Sequence, residues 1–550
     1  MNSIERLHAA FCQYLTKTFD LTDTALRPCT FTLNTDESRQ QFGDISSNTP
    51  LVLAKELQRK PAEIAAQIAE TFSHELVDRI EIAGPGFLNL FLTHDTFAAL
   101  AQELHDQKAS FFALPPDAPR HHFSIEFVSA NPTGPLHFGH GRGGIIGDVL
   151  GNVLKFIGHG VTKEFYINDA GVQITRLGES LKVRCEQQLG IDAVMPEDGY
   201  QGDYLVDFAK ECIAQYSGQV LAKPASFFQE YAKNHMLERI KETLNHYGIH
   251  FDVWFSEKSL HDDGSITAVL EELKDKNYLY EKDDALWFKS TEFGDDKDRV
   301  VRKASGELTY VAADIAYMKN KVARGADRLV MVLGHDHHGY VSRLQGLHQA
   351  LGLENAPLEV IIYQLVKLKE GGQQLRMSKR AGTMVTLADI IEAVGTDVAR
   401  FFYLNRKADA QLEFDIDLAL TKTEENPVYY IQYAYVRTNS ILQKAQEVDA
   451  LRGINNDDAA ALEQTEQLLL KKLVSLKEML STIATTNQTH LLAYYALELA
   501  QTFSRYYTKN RVIDTDNTQR SRARLLLVTI TRDTLTIALD LLGISKPSRM

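Results

Sequence analysis

Hydrophobic residues recur with two different periods along the chain, and the change of period predicts where strands end and helices begin. In the segment HHFSIEFVS, Phe123, Ile125 and Phe127 alternate with polar residues, which is typical of a half-buried strand. The turn-forming residues 131–135 follow, and apolar residues then recur at helical spacing through residues 145–154. The sequence therefore predicts a strand, a turn and a helix in succession.

The same patterns predict three domains. Residues 1–112 combine helical stretches with strand-like alternation, which indicates a small α+β domain. The proline-rich segment ALPPDAPRHH indicates a domain boundary. In residues 118–418 strands alternate with helices, which favours a parallel, doubly wound sheet of Rossmann type. Residues 419–550 have helical periodicity and predict an all-α bundle.

Composition narrows the class of protein. The 550 residues are 44% hydrophobic and 24% charged, which is typical of a globular chain with several domains. No apolar run approaches the roughly 18 residues needed to span a bilayer, and the first residues lack the apolar core of a signal peptide. Four widely spaced cysteines argue against a disulfide framework and against a zinc knuckle. We therefore expect a cytoplasmic enzyme without a membrane partner.

The chain is acidic as a whole but contains one basic segment. A formal net charge of −14 counts against a nucleic-acid partner, because phosphate binding needs concentrated positive charge. Residues 501–550, however, hold nine Lys or Arg against four Asp, a local excess of +5. This segment predicts a docking surface for a polyanion.

Two histidines stand at the predicted helix start in ANPTGPLHFGHGRGG. Unpaired backbone N–H groups and the positive end of the helix dipole favour an anion there, and phosphate is the natural one. Helical residues three apart share a face, so the imidazoles of His137 and His140 would point at one ligand, while Gly139 would leave room for a flat base. The pattern fits a nucleoside triphosphate, although paired histidines also serve local structure.

A second motif, QLRMSKRAGT, is cationic. It brings Arg376, Lys379 and Arg380 together beside glycines. Such a loop can close on a triphosphate and neutralise the charge that moves onto the departing pyrophosphate. A solvated run of charges is the alternative when the motif is taken alone. Because both motifs follow predicted strands of one sheet, their order favours nucleotidyl transfer.

Together these motifs resemble the HIGH-type and KMSKS-type signatures of the class I aminoacyl-tRNA synthetases. Other segments resemble the arginyl-tRNA synthetase family along nearly the whole chain, namely FGDISSN, GPGFLNLFL, YINDAGVQ, DGYQGDYL, DVWFSEKSL, ELTYVAADIAY, GHDHHGYVSR and NPVYYIQYAYVR. The resemblance implies that ATP and L-arginine form arginyl-adenylate and diphosphate, and that the arginyl group then passes to tRNA(Arg). The alternatives are a cysteinyl-type enzyme, whose metal-bound cysteine pocket is missing here, and a non-catalytic tRNA-binding paralogue.

The resemblance also implies roles for the two motifs. The first would bind the triphosphate and stabilise the α-phosphate in the transition state, and the second would contact the leaving diphosphate, with Mg²⁺ on the phosphates. The catalytic residues implied are His137, His140, Arg376, Ser378 and Lys379. The sequence departs from the class signature at Arg376, where lysine is usual, and at Arg380, where serine is usual. A planar guanidinium differs in geometry from a point ammonium.

Selection of arginine can be argued from charge. A guanidinium offers five donors and no acceptor, so its pocket needs carboxylates. In ELTYVAADIAYMKNK, Tyr310, Asp314 and Tyr317 fall at i, i+4 and i+7 and would share one helix face, although such a stripe is also typical of a core. By resemblance, the arginine-binding residues are Ser129, Asn131, Glu257, Tyr310 and Asp314.

The segment GHDHHG offers several metal-binding side chains. Adjacent residues on a turn rarely converge on one ion, and no further Cys or His is spaced to complete a tetrahedron, so we expect no metal site. The segment follows the predicted strand RLVMVLG, and open α/β sheets bind ligands at the carboxyl ends of their strands. By resemblance, Gly334 and Asp336 contact ATP, and Gly139 is predicted to do so because it lacks a side chain.

The segment NPVYYIQYAYVR predicts a helix with two different faces. One stripe contains Val428 and Ile431 and can pack, while the other can stack on unpaired bases, the common mode for single-stranded RNA. Core packing alone is the alternative. Tyr429, Tyr433 and Arg437 recur every four positions on the second stripe and, with the basic last fifty residues, predict an anticodon-binding bundle. The resemblance implies that Asn89 contacts the tRNA elbow. We expect a monomer whose partners are tRNA(Arg) and L-arginine.

Overall fold

The computed structural model describes residues 1–374 and 385–550, and these residues form two compact units. The central unit consists of residues 119–421 with 487–490. The terminal unit consists of residues 1–118, 422–486 and 491–550, so it joins the two ends of the chain.

The first part of the terminal unit contains a four-stranded antiparallel sheet and helices. Its elements are α1 Ser3–Phe19, α2 Asp23–Leu26, β1 Thr32–Leu33, β2 Ile45–Ser47, α3 Thr49–Leu53, α4 Pro61–Thr71, β3 Val77–Ala83, β4 Phe87–Leu92 and α5 His94–Gln107. The sheet order is β1-β2-β4-β3, and residues 84–86 form the turn of the β3–β4 hairpin. α1 begins in a capping box formed by Asn2 and Glu5, and it buries Leu7, Phe11 and Leu15 at helical spacing.

The central unit is built on a parallel sheet with two groups of inserted elements. Its elements are β5 His122–Phe127, α6 His140–Ile157, β6 Gly160–Ile167, α7 Val172–Gln188, α8 Tyr204–Tyr216, α9 Ala225–His246, β7 Val253–Ser256, α10 Glu257–Asp262, α11 Ser265–Asp275, β8 Leu279–Lys282, β9 Ala285–Phe288, β10 Arg299–Arg302, α12 Tyr310–Ala323, β11 Arg328–Gly334, α13 Val341–Leu351, β12 Leu358–Tyr363, β13 Val366–Glu370, β14 Gln373–Gln374, α14 Leu387–Val394, α15 Thr396–Leu404, β15 Leu412–Asp415 and α16 Ile416–Leu420.

The strand order β12-β11-β5-β6-β7 is parallel throughout, which confirms the predicted Rossmann-type sheet. From β5 the chain first builds outward to β6 and β7 and later returns to place β11 on the other side of β5. Ligands bind at such a switch point in open α/β sheets. α7, α8 and α9 are inserted between β6 and β7, and a small antiparallel sheet of order β10-β9-β8 is inserted before α12.

Glycines let α6 approach the sheet closely. A Cβ atom added at Gly147 would lie 2.3 Å from the ring of Phe127, and one added at Gly143 would lie 2.6 Å from the ring of Tyr363. On another side of α6, the buried carboxylate of Asp148 pairs with Arg400 of α15 at 2.5 Å and with Lys163 of β6 at 2.6 Å. The helix that follows the histidine motif is therefore fixed by both packing and charge.

The remainder of the terminal unit is helical, which confirms the predicted all-α region. Its helices are α17 Pro427–Gln446, α18 Gln464–Val474, α19 Leu476–Thr486, α20 His490–Lys509 and α21 Thr518–Leu542. Lys471 of α18 is buried, and its ammonium lies 2.8 Å from the carboxylate of Asp44. The first part of the unit thus pairs directly with its helices. Among the helices of the described residues, none is long and apolar enough to cross a membrane.

Candidate active site and RNA-binding surface

The predicted site residues of the central unit lie at one edge of its sheet. Ser129 follows β5, Glu257 follows β7, and Gly334 ends β11 with Asp336 just beyond. Because the strands are parallel, their carboxyl ends meet at the same edge. The edge therefore collects residues that are far apart in the sequence.

The two motif histidines contact each other at the start of α6. α6 begins at His140 with Gly139 as its N-cap, so His137 precedes the helix, which corrects the prediction that both histidines share a helical face. Their rings nevertheless lie 3.7 Å apart between centroids. The N–H of His137 donates to Nδ1 of His140 at 3.2 Å, and the N–H of Gly139 donates to Nδ1 of His137 at 3.0 Å.

The backbone of residues 136–138 is held by hydrogen bonds to a segment remote in the sequence. The N–H of Phe138 donates to the carbonyl oxygen of Val385, and the N–H of Leu387 donates to that of Leu136 at 2.8 Å. His137 and Thr386 form an antiparallel bridge between these bonds. The histidine motif is thus paired with the residues that directly follow the second motif.

Gly139 gives space to a histidine ring. A Cβ atom at this position would lie 2.8 Å from Cε1 of His137. The missing side chain therefore accommodates the imidazole itself, and contact of Gly139 with a base stays a prediction. The predicted residues Arg376, Ser378 and Lys379, together with Arg380, lie outside the described residues.

Two carboxyl groups form the interior of the candidate site. Asp314 lies on α12 and accepts a hydrogen bond from the hydroxyl of Tyr340, and Glu257 is the buried first residue of α10. Desolvation raises the pKa of Asp314 to about 7, with a further contribution from the charge of Glu126. Desolvation and the neighbouring Asp314 likewise raise the pKa of Glu257 to about 7. Burial removes the hydration of each carboxylate, and no cation among the described residues fully compensates for that loss.

This interior still has hydrogen-bonding capacity. Oε2 of Glu257 and the hydroxyl of Tyr166 are buried and close enough to interact with each other, but neither makes a hydrogen bond of good geometry to the described residues. Burial raises the pKa of the Tyr166 phenol, and the carboxylates of Glu257 and Asp314 raise it further, so this hydroxyl stays protonated. Buried polar atoms are normally paired, so unpaired ones beside two carboxyl groups indicate a site for a polar, cationic ligand.

The two predicted tyrosines of α12 have different environments. Tyr310 is the first residue of the helix and is 54% exposed. Tyr317 is buried, donates to Glu164 at 2.8 Å, and stacks on Phe255 with ring centroids 4.5 Å apart. Tyr317 therefore belongs to the core. This agrees with the alternative interpretation of the stripe as a packing face.

The remaining predicted residues of the edge are more exposed. The hydroxyl oxygen of Ser129 accepts the N–H of Tyr166 at 3.1 Å, and the amide of exposed Asn131 donates to Gln173 at 2.8 Å. A Cβ atom at Gly334 would lie 2.6 Å from the carboxylate of Asp336, whose side chain is 81% exposed. Within residues 1–374 and 385–550, no group of three or more His, Cys, Asp or Glu side chains is placed to hold a metal ion.

Two residues of this region were missed by sequence reasoning. Tyr340 follows the GHDHHG segment, and only its contact with Asp314 identifies it. Lys321 lies on the same helix as Asp314 and pairs with Glu126 at 2.5 Å. Its spacing of seven residues from Asp314 was the available signal, because residues i and i+7 share a helix face.

In the terminal unit, α17 has the predicted two faces. Val428 and Ile431 are buried, whereas Tyr433 is 37% exposed. The guanidinium of Arg437 lies 4.6 Å from the ring centroid of Tyr433 and 4.9 Å from that of Tyr507 on α20. The sequence did not predict this role for Tyr507, because Tyr507 lies on α20 whereas Arg437 lies on α17. Tyr429 is half-buried on the same helix.

The structure bears on two expectations for the terminal unit, namely its basic segment and Asn89. The cations of residues 501–550 are partly neutralised, because acidic residues outside that segment pair with them: Arg520 with Glu463, Arg522 with Asp458, Arg524 with Glu466 and Lys509 with Glu37. The predicted local excess of charge is therefore reduced. Asn89 is buried within the antiparallel sheet beside Ser46, so its contact with tRNA stays a prediction.

Comparison with protein families gives three matches in chain order. The N-terminal domain of arginyl-tRNA synthetases matches residues 5–92, the class I tRNA synthetase (R) catalytic domain matches residues 115–411, and the DALR anticodon-binding domain matches residues 431–550.

Whole-chain relatives agree. An arginine–tRNA ligase of Caldanaerobacter subterraneus subsp. tengcongensis is 42% identical, covering 94% of this chain and 93% of its own. One of Bacillus subtilis is 40% identical and covers 92% of each chain. The solved structure of Thermus thermophilus arginyl-tRNA synthetase has the same fold, with a TM-score of 0.77 over 100% of both chains at 21% identity.

Proposed function

The chain belongs to the arginyl-tRNA synthetase family, and we propose that its central unit forms arginyl-adenylate at the carboxyl edge of the parallel sheet. Membership makes the protein an ATP-dependent arginine–tRNA ligase with L-arginine and tRNA as substrates. The cysteinyl-type and non-catalytic alternatives are thereby wrong. The finer assignments below concern which residues of this chain perform each step.

The paired carboxyl groups of Asp314 and Glu257 carry the proposal. Both are removed from water, both have a pKa raised to about 7, and Oε2 of Glu257 makes no hydrogen bond of good geometry to the described residues. An arginine side chain supplies what they lack, a permanent positive charge with several N–H donors in a planar fork. Tyr310, at the exposed start of α12, would close over this fork, while Ser129 and Asn131 hold the α-amino and carboxylate end.

The adenylate step is a displacement at phosphorus. A carboxylate oxygen of arginine attacks the α-phosphorus of ATP, the bond to the bridging oxygen breaks, and diphosphate leaves with the electron pair. The terminal ribose hydroxyl of tRNA then attacks the arginyl carbonyl, the bond from the carbonyl carbon to the phosphate oxygen breaks, and AMP leaves with the electron pair while the hydroxyl proton passes to the departing phosphate. No covalent enzyme intermediate is needed, so positioning and charge stabilisation carry the rate.

His137 and His140 are proposed to bind the triphosphate. Their rings, which contact each other at an interplanar angle of 30°, stand at the N-terminus of α6, where the helix dipole and backbone N–H groups favour negative charge. We assign the leaving diphosphate to Lys379, Arg376 and Ser378 only because these residues match the KMSKS-type signature. Gly334, the last residue of β11, and Asp336, just beyond it, are assigned to ATP with Gly139.

Mg²⁺ is proposed to enter with ATP. The described side chains offer no cluster that would hold this ion by itself, whereas phosphate oxygens are its usual ligands. When bound, the ion neutralises phosphate charge.

For tRNA, the proposed contact surface is the Arg437 stack with Tyr433 and Tyr507. Its one exposed ring and shared guanidinium can extend onto an unpaired base. Tyr429 lies on the same helix, and Asn89 is assigned to the tRNA elbow by resemblance. We propose that the partner is tRNA(Arg) and that the protein acts as a cytoplasmic monomer.

Aminoacylation with each of the twenty amino acids and total tRNA tests the proposal. We expect arginine alone to be charged, and we expect a Glu257→Gln, Asp314→Asn double variant to lose arginine-dependent exchange of diphosphate into ATP. A matched Glu230→Gln, Asp207→Asn control changes two exposed carboxylates of the inserted helices and should leave exchange intact. Charging of another amino acid, or full exchange in the first double variant, would contradict the assignment.

A further inference from the structure

A buried lysine lies behind the proposed arginine pocket. Lys321 is two helical turns after Asp314 on α12, and its side chain is 1% exposed. Its ammonium lies 2.5 Å from Oε2 of Glu126 and 4.2 Å from the ring centroid of Tyr317. Both members of this ion pair are therefore withdrawn from water.

Stability alone does not account for such a pair. Removing two charges from water costs free energy that their attraction often does not recover, and well-packed apolar residues of similar volume are often at least as stable. The reason for the charges therefore lies in what else they contact.

Glu126 contacts the turn that carries two proposed arginine-binding residues. Its Oε1 accepts a hydrogen bond from the hydroxyl of Ser129 at 3.3 Å, and the oxygen of that hydroxyl accepts the N–H of Tyr166 at 3.1 Å. The turn is strained, because Val128 has φ 66° and Ser129 has φ 39° in the left-handed region. Residues with side chains rarely adopt this region, and β-branched ones least of all, so the surroundings must hold the turn in place.

We propose that Lys321 is a positioning residue for arginine selection. It holds Glu126 against the Ser129 turn and balances the negative charge of Glu126 beside Asp314. The inference rests on the proposed function, because Ser129 and Asp314 select an amino acid only if arginine binds there. It extends that function by naming a charge pair that contacts no substrate.

Glu126 and Lys321 have opposite effects on the pKa of Asp314, and this difference can be tested. Glu126 raises the pKa of Asp314, whereas Lys321 lowers it. The titratable and charged groups that face Asp314 are Glu126, Tyr166, Glu257, Lys321, Tyr340 and Arg343. Removing the lysine charge should therefore raise the pH at which Asp314 ionises, and removing the Glu126 charge should lower it.

The measurement is the pH profile of KM for arginine in ATP–diphosphate exchange, with the full chain and saturating tRNA. The acidic limb of this profile is the part in which KM for arginine rises as the pH falls. In Lys321→Met we expect the acidic limb to move to higher pH by roughly one unit. KM for arginine at neutral pH should rise about tenfold, while KM for ATP should stay within about twofold of wild type. In Glu126→Gln the limb should move down. The double variant, which is charge-balanced, should return it to the wild-type position, and Lys321→Arg should retain the wild-type profile.

Lys163→Met is the matched control. Its ammonium pairs with buried Asp148 at 2.6 Å and with Asn152, both on α6 rather than at the Ser129 turn, so the substitution should lower stability without moving the limb. Unchanged limbs in Lys321→Met and Glu126→Gln would overturn the proposal, as would equal changes in KM for arginine and ATP. If Lys321→Met does not fold, an unmoved limb in Glu126→Gln overturns it. A wild-type enzyme without arginine-dependent exchange would instead contradict the proposed function.

Discussion

The backbone N–H of Phe138 donates a hydrogen bond to the carbonyl oxygen of Val385 at 3.2 Å. This bond joins the first signature motif to the residues directly after the second one. Because the pairing is between backbone atoms, it fixes the path of the histidine turn whatever side chains stand there. The position of His140 is thus set both by its own helix and by a segment remote in the sequence.

We expect His140→Ala to slow adenylate formation about a hundredfold or more while leaving arginine affinity nearly unchanged. The contact would strengthen only as charge develops on the phosphates, and losing one such donor typically costs on the order of 3 kcal/mol. Single-turnover exchange kinetics and calorimetric titration with arginine measure the two quantities. His250→Ala, at an exposed position of the same unit, is the control. Near-normal turnover of His140→Ala would remove this histidine from the mechanism.

Asp314→Asn should abolish discrimination between arginine and its neutral isostere citrulline. Removing one partner of a desolvated ion pair costs several kcal/mol, so arginine should lose roughly a hundredfold or more in kcat/KM. The neutral isostere should lose little, because it forms no ion pair. Competition assays with both amino acids give the ratio directly. Wild-type charging with arginine by this variant would place the guanidinium site elsewhere.

Arginine binding should strengthen as pH rises through 7. Asp314 and Glu257 each have a pKa raised to about 7, so both are largely protonated at pH 6, and the cation must displace their protons. Below pH 7, each group should weaken binding by up to about tenfold per pH unit. Calorimetry in two buffers of different ionisation enthalpy would detect the released protons. A pH-independent affinity between about 6 and 8 would contradict this origin of the site.

The same groups should make the ligand-free enzyme less stable as pH rises. Their ordinary pKa values are 3.8 and 4.5, so between about pH 4 and 7 the folded state holds more protons than the unfolded state. Excess protons in the folded state mean that stability falls with pH through this window and levels off above it. Arginine should reverse the loss, so its increase in Tm should be larger at pH 8 than at pH 6.

Much of the site follows from local sequence pattern, and the rest depends on tertiary contact. The strands and the acids Asp314 and Glu257 lie in segments whose period or motif is visible along the chain. Tyr340 carries no such signal, and Lys321 carries only its helical spacing from Asp314, because the importance of both residues comes from partners on other elements. A helix-face argument places Lys321 beside Asp314, but it cannot show that Glu126 of β5 meets it.

The charge of residues 501–550 illustrates the same limit. Counting residues gave an excess of +5, and that count is correct for the segment. In the fold, however, Arg524 is buried against Glu466, and Arg522 is fixed by Asp458. A local count cannot include acids that approach from elsewhere in the chain.

Tyr433→Ala should weaken tRNA binding without affecting arginine binding. A stacked base contributes about 1–3 kcal/mol, so KM for tRNA should rise roughly tenfold or more. Tyr433→Phe is the matched control, because it keeps the ring beside the Arg437 guanidinium and removes only the hydroxyl, which accepts a hydrogen bond from Arg437. Equal effects of both substitutions would assign the contribution to the hydroxyl and contradict stacking.

Gly139→Ala should damage catalysis more than folding. The added Cβ atom would come within 2.8 Å of Cε1 of His137, so the ring must move from its position against His140. The backbone at Gly139 has φ −63°, which alanine adopts freely, so no backbone strain is added. We therefore expect a loss of about tenfold or more in kcat for exchange, since small displacements of a positioned group have large effects, with little change in Tm. Gly134→Ala is the control within the same motif, because the nearest atom to its Cβ would be the hydroxyl of Tyr204 at 3.7 Å, an ordinary contact. If both variants exchange diphosphate at the wild-type rate, the close packing of His137 on Gly139 does not position the ring for the reaction.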